Sequence, residues 1–202
     1  MSEERRQRVP PGQYVTEKFP VLHVGSIPPF DRKRWDFRIW GLVESPVKLT
    51  YDELRALPVK EVVADIHCVT GWSKLDTRWK GATPQEILRS ARPKSEAAYV
   101  LVHGEGGYTT NLPLEALLDD SVVLAYGYEG EELSPEHGGP LRLVVPHRYF
   151  YKSAKWVRGL ELMAEDRPGF WEQRGYHNNA DPWEEERYAV WRLERMKGDL
   201  MT

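Results

Sequence analysis

Short runs of β-branched and aromatic residues, each ended by proline or glycine, constrain this fold more than any other feature of the chain. In Trp35-Asp36-Phe37-Arg38-Ile39-Trp40-Gly41-Leu42-Val43 apolar and charged side chains alternate, the period of two that marks a strand with one buried face; Trp35, Phe37 and Ile39 share that face. Residues 59–68 are rich in β-branched side chains and read as a strand delivering Cys68 at its end. Residues 99–103 and 108–111 read as a hairpin around Gly104-Glu105-Gly106-Gly107, and residues 122–126, 141–145 and 156–163 as further strands.

Helices are few and short. Thr50-Tyr51-Asp52-Glu53 has the capping-box pattern, in which the Thr hydroxyl accepts from the third backbone N–H on and the Glu carboxylate reaches back. It predicts a helix over 51–57 that stops at Pro58. Thr83-Pro84-Gln85-Glu86 repeats the pattern, with proline at the favoured first position, and predicts a helix to about residue 92. Residues 113–118 read as a short helix, and Asp181-Pro182 as the start of a closing helix over 181–197. Strands outnumber helices, no regular βαβ units occur, and no G-x-G-x-x-G follows a strand. The expectation is an α+β domain over 19–202, preceded by a polar, flexible or draped arm at 1–18.

Cys68 is the chain's one cysteine, which excludes an intrachain disulfide, a C-x-x-C redox pair, a C-x-x-C-H haem attachment site and a cysteine-held iron–sulfur cluster. Its thiol can be a small apolar filler, a nucleophile or a soft metal ligand. The charged N-terminus has no apolar signal-peptide segment behind it, and no apolar run approaches a membrane span, so the expected setting is cytoplasmic and membrane-free. A net charge of −3 argues against general nucleic-acid affinity but leaves room for a local basic pocket.

That pocket has an obvious source. Residues 142–158 carry Arg142, Arg148, Lys152, Lys155 and Arg158 and no acidic residue. Within it, Tyr151-Lys152-Ser153-Ala154-Lys155 offers small residues whose amides can turn with the ammonium groups toward a phosphate. These cations also suit a solvated face. His67 is poorly placed to activate Cys68, because neighbouring side chains on a strand point to opposite faces. His137 and His147 lie nearer the basic run. The aromatic stretch 169–177 can line a pocket or cover an edge of the core.

The run His137-Gly138-Gly139-Pro140-Leu141-Arg142-Leu143-Val144-Val145-Pro146, with Tyr151-Lys152-Ser153-Ala154-Lys155-Trp156-Val157, resembles the signature of the sulfite oxidase superfamily. More narrowly, it is similar to bacterial relatives akin to the catalytic subunit of periplasmic methionine sulfoxide reductase. His67-Cys68-Val69-Thr70-Gly71-Trp72, Trp79-Lys80-Gly81 and the stretch 108–114 agree in order. The resemblance covers roughly residues 19–185 and implies a molybdopterin-binding fold of mixed, mainly antiparallel sheets with short peripheral helices.

It also implies mononuclear molybdenum held by one pterin dithiolene and by Cys68, a soft thiolate suited to that metal. His23, His67, His137, Arg142, Tyr151, Lys152, Ser153, Ala154 and Lys155 become candidate cofactor contacts, with Arg142 and 153–155 matching the pterin and phosphate positions. Tyr108 becomes a candidate to orient a substrate oxygen. In sulfite oxidases the loop after the cysteine supplies an arginine for sulfite; here it reads Val69-Thr70-Gly71-Trp72-Ser73-Lys74, so Thr70, Trp72 and Lys74 would line a different substrate pocket. Haem module, dimerisation domain and export signal are all expected to be absent, leaving electrons to a separate carrier. The implied reaction is oxygen-atom transfer on a small S- or N-oxide, with sulfite-type oxidation as an alternative. A thiol enzyme using Cys68 and a metal-free anion- or partner-binding module of the same fold remain the rivals.

Overall fold

Alternation of buried and exposed side chains builds two sheets in the computed structural model, which describes residues 2–190. In chain order come α1 (Glu3–Gln7), β1 (Tyr14–Val15), β2 (Asp36–Gly41), β3 (Val47–Thr50), α2 (Tyr51–Arg55), β4 (Val59–His67), β5 (Trp72–Ala82) and α3 (Pro84–Arg89). There follow β6 (Tyr99–Gly104), β7 (Thr109–Pro113), α4 (Leu114–Leu117), β8 (Val123–Tyr128), β9 (Glu131–Glu132), β10 (Arg142–Val144) and β11 (Val157–Met163). The first sheet runs β1-β5-β8-β10, with β4 also on β5 and β9 on β8; the second runs β3-β2-β11-β6-β7. Pairing is antiparallel except for β1 with β5 and β2 with β11.

The main core joins both sheets to α2 and α3 through Phe37, Ile39, Leu54, Ile87, Val102, Leu124 and Leu160. A second cluster, with Ile66, Cys68, Trp72, Trp79 and Phe150, lies beneath the Cys68 loop. The fold is thus the α+β arrangement of mainly antiparallel sheets and short helices that the sequence implies. Among the described residues no helix is long and apolar enough to cross a membrane.

The Thr50 capping box forms in full: Thr50 Oγ1 accepts from Glu53 N at 3.3 Å and Glu53 Oε2 accepts from Thr50 N at 2.7 Å. Thr50→Ala is therefore expected to lower the melting temperature by roughly 2–4 °C, measurable by thermal denaturation. At the second box only half forms. Thr83 caps Glu86 N, but the Glu86 carboxylate takes Arg89 at 2.8 Å, and α3 ends at Arg89, short of residue 92.

β5 was not foreseen as one strand. Leu75, Thr77 and Trp79 point inward between exposed Asp76, Arg78 and Lys80, a period of two obscured by the polar threonine in the core and by Asp76 at φ +59°. At Gly81 a Cβ would stand 2.0 Å from Leu124 O, so only glycine lets β5 approach β8 there. Residues 1–18, read as a flexible or draped arm, carry α1 and β1. Arg8 pairs with Asp65 at 2.6 Å, and Tyr14 N donates to Gly71 O at 2.9 Å. The closing helix does not start at Asp181: residues 182–185 form turns and Tyr188 bridges Tyr176, while residues 191–197 lie outside the described residues.

Candidate active site

Cys68 directly follows β4, three residues past Asp65, which faces a bulge of Leu75 and Asp76 on β5, the kind of irregularity found next to functional sites. The chain reverses over the next three residues: Gly71 N donates to Cys68 O at 3.0 Å, Cys68 N donates to Trp72 O at 2.8 Å, and Gly71 takes φ +102°. Cys68 is 6% exposed, with Sγ 3.1 Å from Thr70 Oγ1. Burial pushes the thiol's pKa up, opposed by the Thr70 contact and by Arg142 and Arg187. Its Sγ has no imidazole partner among the described residues, since the neighbouring His67 turns to Ser73 Oγ at 2.8 Å. That arrangement does not activate a nucleophile.

Cys68 lines a cavity of about 670 Å³ that also meets Tyr108, Arg142, Tyr151, Ser153, Ala154 and Lys155. Its volume suits a cofactor-sized ligand. Arg142 is 2% exposed; its guanidinium donates to His137 O at 2.6 Å and Ser153 O at 3.2 Å and lies 4.1 Å from the Phe150 ring centroid. Its Nε has no partner, and no carboxylate lies within ion-pair distance among the described residues. Burial lowers its pKa to about 9. A buried cation without an anion is costly, so this guanidinium favours a negative occupant of the cavity. Lys155 Nζ donates to Glu136 O at 2.5 Å, and burial together with Arg142 lowers its pKa to about 7.

Other expected residues fall in different places. His23 lines the cavity on an unpaired stretch of loop, its ring 5.4 Å from Trp156. Thr70 and Trp72 line it too, and buried Trp72 Nε1 lacks a partner. Tyr108 lines it, but its hydroxyl donates to Tyr151 O at 2.6 Å, and burial raises its pKa, keeping the phenol neutral. Tyr151 donates its own hydroxyl to His177 O at 2.5 Å.

Four candidates are corrected by their contacts. Lys152, fully buried, is held by Glu172 at 2.6 Å and by Asn111 O at 2.8 Å, and it does not line the cavity; its 3-10 turn aims it away from Lys155. His67 faces the other side of β4, where burial lowers its pKa to about 4. His137 stacks on Phe19 with ring centroids 3.9 Å apart instead of lining the cavity. Lys74 points outward from β5, with Nζ on Glu17 O at 2.8 Å.

Beyond His23, whose loop the resemblance implied, the sequence did not single out Phe19, Phe150 or the other residues of the loop 20–29 as cavity lining. The alternation of proline with apolar residues over 19–29 was the available signal. The stretch 169–177, left open between wall and edge, contributes Phe170, Trp171 and Tyr176 to the wall.

Residues 24–171 match the family described as oxidoreductase molybdopterin binding domain. The chain is 50% identical over 183 residues to the uncharacterized oxidoreductase YuiH of Bacillus subtilis, covering 90% of this chain and 92% of that one. It is 26% identical over 197 residues to the protein-methionine-sulfoxide reductase catalytic subunit MsrP of Campylobacter jejuni, covering 86% of this chain and 65% of that protein. The sulfane dehydrogenase SoxCD from Paracoccus pantotrophus shares the fold at a TM-score of 0.64 and 24% identity, over 78% of this chain and 46% of that one. With nearly three quarters of its length inside the family match and a relative 50% identical over 90% of the chain, this chain belongs to the molybdopterin-binding oxidoreductases of the sulfite oxidase superfamily, related to the MsrP reductases.

Proposed function

We propose that the chain is the catalytic unit of a mononuclear molybdenum enzyme that reduces a small S- or N-oxide. The observation that carries this reading is one cavity holding a soft thiol, a buried unpaired guanidinium and the basic segment 153–155. That donor set fits the cofactor. Cys68 would hold the metal as thiolate, Arg142 would offset the negative charge of the sulfur ligands and pterin, and Lys155 with the 153–155 backbone would hold the phosphate. When bound, the cofactor supplies two-electron oxygen-atom transfer.

The chain's own residues do the rest. Burial of Cys68 and Arg142 keeps water from the thiolate and strengthens their mutual attraction. Val69, Thr70 and Trp72 border the cavity next to Cys68 without a charge, which suits a neutral oxide better than an oxyanion. Trp72 Nε1 and Thr70 Oγ1 are the side-chain donors of that border, and Phe170, Trp171 and Tyr176 offer apolar wall to the substrate's carbon groups. Because Tyr108 spends its proton on Tyr151 O, its hydroxyl can only accept from a protonated group, and it donates to a substrate oxygen only when that 2.6 Å bond breaks. Each turnover consumes two electrons from a separate carrier and two protons, releasing the deoxygenated substrate and water.

A screen of sulfoxides and N-oxides against sulfite, with a dye as electron donor or acceptor, tests the substrate class. Reduction of an oxide is the expected outcome; turnover of sulfite alone would reverse the direction. Lys155→Glu places a like charge against the phosphate and is expected to cut pterin occupancy at least about tenfold while leaving the melting temperature of cofactor-free protein nearly unchanged. In cofactor-free wild-type protein, anion affinity at this site is expected to fall as pH rises through about 7, where Lys155 loses its proton. Pterin fluorescence and phosphate titration read the two effects.

A further inference from the structure

The turn that presents Cys68 is braced from both ends of the chain. Gln13 Nε2 donates to Cys68 O at 3.1 Å. Tyr14 N donates to Gly71 O at 2.9 Å, and Arg187 Nη1 donates to Val69 O at 2.6 Å. The carbonyls of residues 68, 69 and 71 thus each accept a bond from outside the turn, and none of these donors lies within the matched stretch 24–171. Arg187 also ties the two ends to each other. Its Nη2 reaches Pro11 O at 3.3 Å and Gly12 O at 3.2 Å, and its guanidinium lies 5.0 Å from the Tyr149 ring centroid.

The contacts form a closed circuit. His67 Nδ1 meets Ser73 Oγ at 2.8 Å, Ser73 Oγ donates to Gln13 Oε1 at 3.5 Å, and the same Gln13 amide reaches back to Cys68 O. A side chain's direction follows from the orientation of the peptide planes on either side of its Cα. Holding the Cys68 carbonyl fixes the plane after Cys68, the Cys68 N to Trp72 O bond fixes the plane before it, and the Arg187 bond to Val69 O holds the next plane of the turn. The turn's own two backbone bonds engage Cys68 O and Cys68 N and leave the Val69 and Gly71 carbonyls to donors from outside it.

We infer that Gln13 and Arg187 are positioning residues for the Cys68 thiolate: together they hold the carbonyls of residues 68 and 69, and with them the turn that aims its sulfur. The inference rests on Cys68 being the metal's protein ligand. A metal–thiolate bond responds to the rotation of the sulfur about its Cα–Cβ bond, so loosening the brace alters the metal's electronic structure even when the metal stays bound.

The test uses Gln13→Leu, Arg187→Gln and Arg187→Lys in the full chain loaded with cofactor, with Thr50→Ala as a variant destabilised in the other sheet. Molybdenum and pterin content are measured first, then the one-electron-reduced metal's electron paramagnetic resonance spectrum and steady-state kinetics. Gln13→Leu and Arg187→Gln are expected to retain metal, shift the g values away from wild type, and lower kcat about tenfold with KM within about twofold. Arg187→Lys, which keeps the charge and one donor to Val69 O, is expected to recover part of the shift. Thr50→Ala should superpose on wild type. Unshifted spectra in Gln13→Leu and Arg187→Gln, or an equal shift in Thr50→Ala, overturn the inference. Failure of the underlying reading looks different: wild-type protein without molybdenum, or a Cys68→Ser spectrum identical to wild type.

Discussion

Replacing Glu172 by leucine is expected to lower the free energy of unfolding by about 3–5 kcal/mol, because it strands the Lys152 ammonium in the interior. Both side chains are almost completely buried, 2.6 Å apart, and Thr110 Oγ1 donates to the same carboxylate at 2.8 Å. Burial already lowers the Lys152 pKa, with Glu172 opposing the shift. Without the carboxylate it drops further. Between that lowered value and lysine's ordinary one the unfolded chain then binds more protons than the folded chain, so the variant gains stability as pH rises through that interval. Lys152→Met with Glu172→Leu removes both charges and should recover most of the loss. Urea denaturation at several pH values measures all three. A Glu172→Leu midpoint equal to wild type at pH 7 would mean that the pair is not buried as described.

Cys68→Ser is expected to reduce the proposed oxide-reducing activity on the order of a hundredfold or more while leaving the fold intact. Serine fills nearly the same volume and can keep the 3.1 Å contact to Thr70 Oγ1, so the loss would come from ligation and not from packing. An alcohol in this position is a hard, weakly acidic donor in place of a soft thiolate. Thermal denaturation of cofactor-free protein should give a melting temperature within a few degrees of wild type. Activity near the wild-type level would remove Cys68 from the chemistry.

The strands and the two ends of the site were legible because each has a local signal. Trp35, Phe37 and Ile39 alternate cleanly, residues 59–68 read as a strand ending at the cysteine, and the basic run 142–155 stands out by its lack of acidic residues. What a linear run does not carry is direction. Lys152 and Lys155 look alike in sequence, but a 3-10 turn sends one to Glu172 and leaves the other in the cavity. His67 and Cys68 are neighbours, and the pleat separates them. His137 sits in the right motif but presents a flat ring to Phe19, a partner more than a hundred residues away.

Long-range contacts explain the remaining gaps. Gln13 and Arg187 lie 55 residues before Cys68 and 118 after Val69, and no periodicity or motif links such positions. The loop 20–29 holds no strand or helix, so only His23 drew notice, through the resemblance rather than the residues. β5 was readable in principle from Leu75, Thr77 and Trp79, but the shorter motifs at its two ends divided it into a loop and a tripeptide.

The proposed role of Cys68 as the protein's sulfur ligand to molybdenum in a pterin-bound site has a signature at the metal itself. X-ray absorption at the molybdenum edge, on protein made in a molybdate-replete host, tests it most directly. About one molybdenum and one pterin per chain are expected, with one fewer sulfur neighbour at the metal in Cys68→Ser than in wild type. Protein from such a host that carries neither molybdenum nor pterin, or an unchanged sulfur count in Cys68→Ser, would contradict it.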